Sequence, residues 1–242
     1  LCYRFYRIKC QLVVAVKEAV EADENTSAFL SNMTRVVNDF LRETSAFSES
    51  LIRETEMEKR QEYAVSLCSR NEQAQRVIFD ILDVSKIESD RMQFYYEEVN
   101  LARLVREVYM KMQASATEEV HLKLLPIKEI RMTTDPIRLA QILENILHCA
   151  LLHAKSGEVS YGYHSEGDEV VFFVSCQGIV FSEQTCQFMF DRLAQTASKL
   201  ENIQLGMVIS RGLIAKMGGR MSMPVQTESG CRIEFVMPLK QV

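Results

Sequence analysis

The chain has 242 residues, 47% hydrophobic and 25% charged, proportions of an ordinary soluble globular protein with room for one large domain or two smaller ones. A net charge of −5, with no Lys/Arg run beyond pairs, argues against a nucleic-acid partner. The seven cysteines are odd in number and form no C-x-x-C pair, which argues against a disulfide framework or a metal site and for small hydrophobes in a reducing compartment.

The first nine residues, Leu1 to Lys9, interleave aromatic and positively charged side chains, as expected just inside a membrane. The same run fits the start of an ordinary amphipathic helix. The apolar stretch Leu12 to Val16 falls far short of the ~20 residues a spanning helix needs. With no initiator methionine, the sequence reads as a soluble piece of a larger protein whose membrane segment lies ahead of residue 1. Residues 1–26 form a linker in which a seam at Leu12, Val16 and Ala19 is softened by Asp23 and Thr26.

Residues 27–90 carry two long helical patterns. Leu30, Met33, Val37, Phe40, Thr44, Phe47 and Leu51 alternate in steps of three and four, a coiled-coil seam. Tyr63, Leu67, Arg70, Ala74, Val77, Ile81 and Val84 form a second seam after the polar link Arg53 to Lys59. Two amphipathic helices bury little by themselves, so the hairpin is expected to pair with a second copy into a dimeric four-helix bundle. Leu30, Met33, Val37, Phe40, Phe47, Leu51, Leu67, Val77 and Ile81 would line its interface. With Leu30 at position a, Arg35 falls at f, on the outer face. Taken alone, that reads as a solvated surface charge.

From residue 91 to 242 the pattern becomes α+β. Strand-like runs occupy Met92–Val99, Val120–Leu125, Gly157–His164, Glu169–Cys176, Gly219–Pro224 and Cys231–Pro238. Helical periods occupy Leu101–Gln113, Pro136–Leu152 and Leu205–Met217, and Met189–Leu205 is helix-compatible. This order predicts a sandwich with helices on one sheet face. His121 and His164 lie in strand-like runs, and His148 and His153 are five apart on a helix, which suits no metal pair.

Several ordered landmarks carry a family resemblance. Phe29 to Leu41 resembles the phosphoacceptor helix of sensor histidine kinases, F-L-x-N-M-S-H-E-I-R-T-P-L. Arg35 falls on the histidine, Val36 on its acidic neighbour, Asp39 on the Thr/Asn, and Phe40 on the proline. Asp83-Val84-Ser85-Lys86-Ile87-Glu88 resembles the end of the second bundle helix, and Asp135 to Leu147 the approach to the N-box. Phe190-Asp191-Arg192 resembles the F-box. Leu205 to Arg211 with Met217-Gly218-Gly219 resembles the helix after the ATP lid, and Ser229 to Leu239 the closing strand. The resemblance implies a dimerising helical hairpin followed by the ATP-binding domain shared with gyrases and Hsp90-type chaperones.

Against that pattern the packing positions survive and the chemical ones change. In the N-box, Asn145 and Ala150 remain, while Cys149 stands for the metal-binding asparagine and Leu152 for the lysine. Cys176 stands for the aspartate that accepts the adenine amino group. Gly178 is kept and Val180 replaces the second glycine. Of the three glycines of G-T-G-L-G-L only Gly206 is left, with Asn202 and Gln204 at the other two. Asn145, Gly178 and Gly206 are thus vestigial nucleotide-binding positions. A guanidinium stays protonated and cannot attack a γ-phosphate as a neutral imidazole does. A soft thiol is a poor Mg²⁺ ligand.

The resemblance therefore implies a bacterial two-component signalling protein acting as a pseudokinase scaffold, with no catalytic residue and no cofactor. Its full-length form would sit on the cytoplasmic face of the inner membrane. Its partners would be a second copy and an active histidine kinase, a response regulator or an attached output domain. The alternative is a working sensor kinase or phosphatase with a non-standard site, using ATP and Mg²⁺.

Overall fold

The computed structural model describes residues 34–35, 37–116, 119–154, 157–177, 202–222, 225–227 and 230–240. The linker 1–26, Leu30, Met33, Gly178 and the segment 178–201 lie outside the described residues. The chain divides into two compact units, with the division at Ile81 and Leu82.

The first unit contains two helices. Residues 37–53 form α1, with 34 and 35 also helical, and Met57–Glu88 form α2. In the link before α2 the Glu54 side chain accepts from the backbone N–H of Thr55 at 2.9 Å and of Glu56 at 3.0 Å. Among the described residues an aromatic pair and an ion pair join the helices. The rings of Phe47 and Tyr63 lie 6.5 Å apart, and Arg70 pairs with Glu43 at 3.5 Å. Phe40 and Val77 are buried, and Val37, Thr44, Phe47, Leu51, Tyr63, Leu67, Arg70, Ala74 and Ile81 are partly so. Each seam therefore marks the less exposed side of its helix, as the three-and-four spacing requires.

The second unit begins inside α2. The last turns of that helix bury Asp83, Val84 and Ile87. Asp83 Oδ2 accepts from Arg138 Nη1 and from Gln141 Nε2, both at 2.8 Å. Glycine is needed at 212 because a Cβ there would come within 2.9 Å of Ile87 Cγ2.

After α2 come β1 (Glu97–Asn100), α3 (Leu101–Gln113), β2 (Val120–Leu124), β3 (Arg131–Thr134) and α4 (Pro136–His153). They are followed by β4 (Gly157–Glu166), β5 (Glu169–Gln177), α5 (Asn202–Lys216), β6 (Arg220–Met221), β7 (Val225–Thr227) and β8 (Gly230–Pro238). The main sheet has the order β2-β4-β5-β8-β6, and β7 also pairs with β8. β2 and β4 run parallel, and the other pairs are antiparallel. β1 and β3 make a separate antiparallel pair.

Alternation builds the core. Val159, Tyr161 and Tyr163 of β4, Val170, Phe172, Val174 and Cys176 of β5, and Cys231, Ile233, Phe235 and Met237 of β8 are all buried. Phe172 and Phe235 are direct cross-strand partners with rings stacked 4.6 Å apart. Tyr161 sends its hydroxyl to the carbonyl of Val105 in α3 at 2.8 Å, which ties the sheet to the helical layer.

The helix starts follow their caps. Asn100 accepts from Arg103 N–H at the head of α3. Asp135 accepts from Ile137 and Arg138 N–H at the head of α4, with Pro136 in the first turn. Three expectations need correction. Met92–Val99 is a strand only from Glu97, because the backbone N–H of Tyr95 is taken by the Asp135 carboxylate at 2.9 Å instead of by a neighbouring strand. Gly219–Pro224 shortens to Arg220–Met221. The strands Arg131–Thr134 and Val225–Thr227 are additional.

Candidate functional site

α4, the end of β5 and the start of α5 bring together the positions that a nucleotide pocket of this fold would use. α4 supplies Asn145, Cys149 and Leu152, β5 supplies Cys176, and α5 supplies Gly206. Asn145 is part-buried and donates from Nδ2 to the Gly206 carbonyl at 3.1 Å. Ser210 Oγ donates to the same oxygen at 2.8 Å. A Cβ on residue 206 would meet Asn145 Cγ at 3.2 Å, so the two helices approach closely here. The Asn145 side chain is thus engaged with the Gly206 backbone. Gly178 lies outside the described residues.

Cys149, Cys176 and Cys231 are buried to 1%, 2% and 2% exposure, and all three are free thiols. Cys176 and Cys231 face each other across β5 and β8. The Cys176 thiol donates toward Cys231, which holds Cys176 protonated far above the usual thiol range and draws Cys231 below it. Burial, and then the nearby Cys231, push Cys149 up to about 12. Protonated thiols at 149 and 176 offer neither the hard oxygen that Mg²⁺ takes nor a carboxylate for an amino group. Leu152 is 51% exposed and brings no charge. These residues do not fit ATP·Mg²⁺. Among the described residues no group of three or more His, Cys, Asp or Glu is placed to hold a metal ion.

No sequence motif announces the meeting of these cysteines, which read along the chain as scattered small hydrophobes. Their one available signal was parity. Cys176 and Cys231 both fall on the inward phase of their strands.

On α1, Arg35 points outward with 59% of its side chain exposed and forms an i,i+4 ion pair with Asp39 at 3.6 Å. Arg42 Nη2 meets the same carboxylate at 3.0 Å. Asp39 is thereby placed between two guanidinium groups, and contacts of this exposure contribute little to stability. Of the residues assigned to a dimer interface, Phe40 and Val77 are buried, Val37, Phe47, Leu51, Leu67 and Ile81 are part-buried, and Leu30 and Met33 lie outside the described residues.

Comparison with known proteins gives a consistent picture. The family profile described as histidine kinase-, DNA gyrase B-, and HSP90-like ATPase matches residues 134–241. The sensor protein GacS of Pseudomonas syringae pv. syringae is 28% identical over 244 residues, which covers 95% of this chain and 26% of GacS. The chain thus spans about a quarter of that relative's length. The histidine kinase AdeS of Acinetobacter baumannii superposes with a TM-score of 0.65 at 14% identity, covering 85% of this chain and 96% of the other. The histidine kinase ThkA, in a structure with the response regulator protein TrrA, gives 0.64 at 18% identity, covering 87% and 60%. At those identities the structural matches speak for the fold.

Proposed function

The chain belongs to the sensor histidine kinase family, and we propose that within two-component signalling it is a pseudokinase, a dimeric relay that passes a conformational signal without phosphorylating itself. The observation that carries this reading is Arg35. It stands at the phosphoacceptor position, exposed on α1 and paired with Asp39. Autophosphorylation requires a nitrogen lone pair that attacks the γ-phosphate, and a guanidinium has none to give. The thiols at 149 and 176 and the aliphatic Leu152 support the same reading from the nucleotide side. Each such loss of a charge or phosphate contact is worth about 10²–10³ in rate.

In this proposal the two seams of α1 and α2 pair with a second copy to make a four-helix bundle. The bundle rearranges under a stimulus received elsewhere in a longer, membrane-bound protein, at the cytoplasmic face of the inner membrane. The output goes to an active histidine kinase, a response regulator or an attached output domain. No helix among the described residues is long and apolar enough to cross a membrane. Neither ATP nor Mg²⁺ is needed as a cofactor.

The deciding experiment is incubation with γ-labelled ATP and Mg²⁺. The chain is expected to take up no acid-labile phosphate, and Arg35→His alone is expected to restore none, because the nucleotide side is altered as well. Label above background in the unmodified chain overturns the proposal in favour of an active kinase with a non-standard site.

A further inference from the structure

We propose that Cys176 and Cys231 are a peroxide-responsive dithiol that closes to a disulfide across β5 and β8. The two residues are direct partners in the antiparallel register, on the last rung but one before the ladder ends at Gln177 and Gly230. Opposed Cα atoms in such a ladder lie about 4.5–5.5 Å apart, inside the roughly 4.4–6.8 Å window that a disulfide spans. Both side chains are on the buried face of the sheet and reach each other. The pair sits near a strand end, where ladders open locally at low cost. A small oxidant can therefore reach sulfurs that a bulky reagent cannot.

The chemistry divides the roles. The hydrogen bond from Cys176 favours the thiolate at Cys231, which makes Cys231 the nucleophile. Its sulfur attacks one oxygen of hydrogen peroxide. The O–O bond breaks, the departing hydroxide takes a proton to become water, and Cys231 is oxidised to the sulfenic acid. The Cys176 sulfur then attacks that sulfur. The S–S bond forms, the S–O bond breaks, and a second water leaves with the thiol proton. One peroxide is reduced to two waters, and two thiols become one disulfide. A dithiol reductant reverses it.

Cys149 stands apart from this exchange. It comes from α4, and burial holds it protonated. The strand register that brings the two thiols together is independent of whether the chain phosphorylates itself.

The test uses the full 242-residue chain, reduced, exposed to hydrogen peroxide, then alkylated under denaturing conditions and digested without reductant. Mass spectrometry is expected to find one cross-linked peptide pair carrying Cys176 and Cys231, two hydrogens lighter than the sum of the reduced peptides. Dithiothreitol should abolish it, and Cys149 should remain alkylatable. Cys176→Ser is expected to lose the cross-link and to trap Cys231 as a dimedone adduct. If that variant does not fold, the unsubstituted chain still decides. Both thiols remaining alkylatable while the exposed Cys68 is oxidised overturns the proposal, and so does Cys231 joined to Cys149.

Discussion

Asn145 donates its side-chain amide to the carbonyl oxygen of Gly206 across 3.1 Å and so holds α4 against α5. The contact gives both residues a structural role that needs no nucleotide. It predicts coupled stabilities. Asn145→Ala should cost about 1 kcal/mol, the worth of one hydrogen bond, because the Gly206 carbonyl keeps Ser210 as a donor. Gly206→Ala should gain about 1 kcal/mol of helix propensity only where the asparagine has been removed, since a Cβ otherwise lies 3.2 Å from Asn145 Cγ. Urea denaturation of the two single variants and the double variant measures this; strict additivity would contradict it.

The network on Asp83 makes a second prediction. Asp83→Ala leaves the part-buried Arg138 guanidinium without its carboxylate. It should destabilise the fold by about 3 kcal/mol. Asp83→Leu combined with Arg138→Met should recover most of that, because an apolar pair of similar volume replaces a desolvated ion pair at little cost. Denaturant midpoints check both. A loss under about 0.5 kcal/mol in Asp83→Ala would place the pair among surface contacts of little weight.

Nucleotide should leave the melting curve nearly unmoved. With Kd at or above about the millimolar range, 1 mM ATP with Mg²⁺ adds at most about 0.4 kcal/mol, a shift of about 1 °C for a chain of this size. Differential scanning fluorimetry with and without Mg²⁺ reads it directly. A magnesium-dependent rise of several degrees would show a working pocket.

For the proposed dimer, Phe40→Glu places a charge at a buried position of the first seam, which is strongly unfavourable unless paired. Sedimentation should show loss of the dimer at micromolar concentration, and circular dichroism should report whether the helices persist. Arg35→Ala, on the outer face, should sediment as the wild type does. An unchanged dimer in Phe40→Glu would refute the bundle assignment.

Much of the second unit was legible because its helices announce themselves locally. Asn100 and Asp135 cap helices that begin one residue later, and the period of Leu101–Gln113 coincides with α3 end to end. The main strands were legible through inward alternation. β3 was not, because four residues with two threonines carry too short a pattern to distinguish from a loop. Extended aromatic residues at Phe94–Tyr96 looked like strand, yet their extension serves a stack of Phe94 on Tyr96 at 5.9 Å and a bond to Asp135. At the candidate site, the sequence shows which side chains differ from the motifs it resembles. It did not show that Cys149, Cys176 and Cys231 meet, or that Asp83, Arg138 and Gln141 share one bond network. Those relations join residues tens of positions apart, and no local period encodes them.

α2 runs without interruption from Met57 to Glu88 across the division at Ile81 and Leu82. Its last turns carry Asp83 and Ile87 at i and i+4, on one face. A residue inserted between them would turn one from the other by about 100°, so the helix could keep the Asp83 bonds to Arg138 and Gln141 or the seat of Ile87 against Gly212, and not both. The spacing of these two residues is therefore as constrained as their identity.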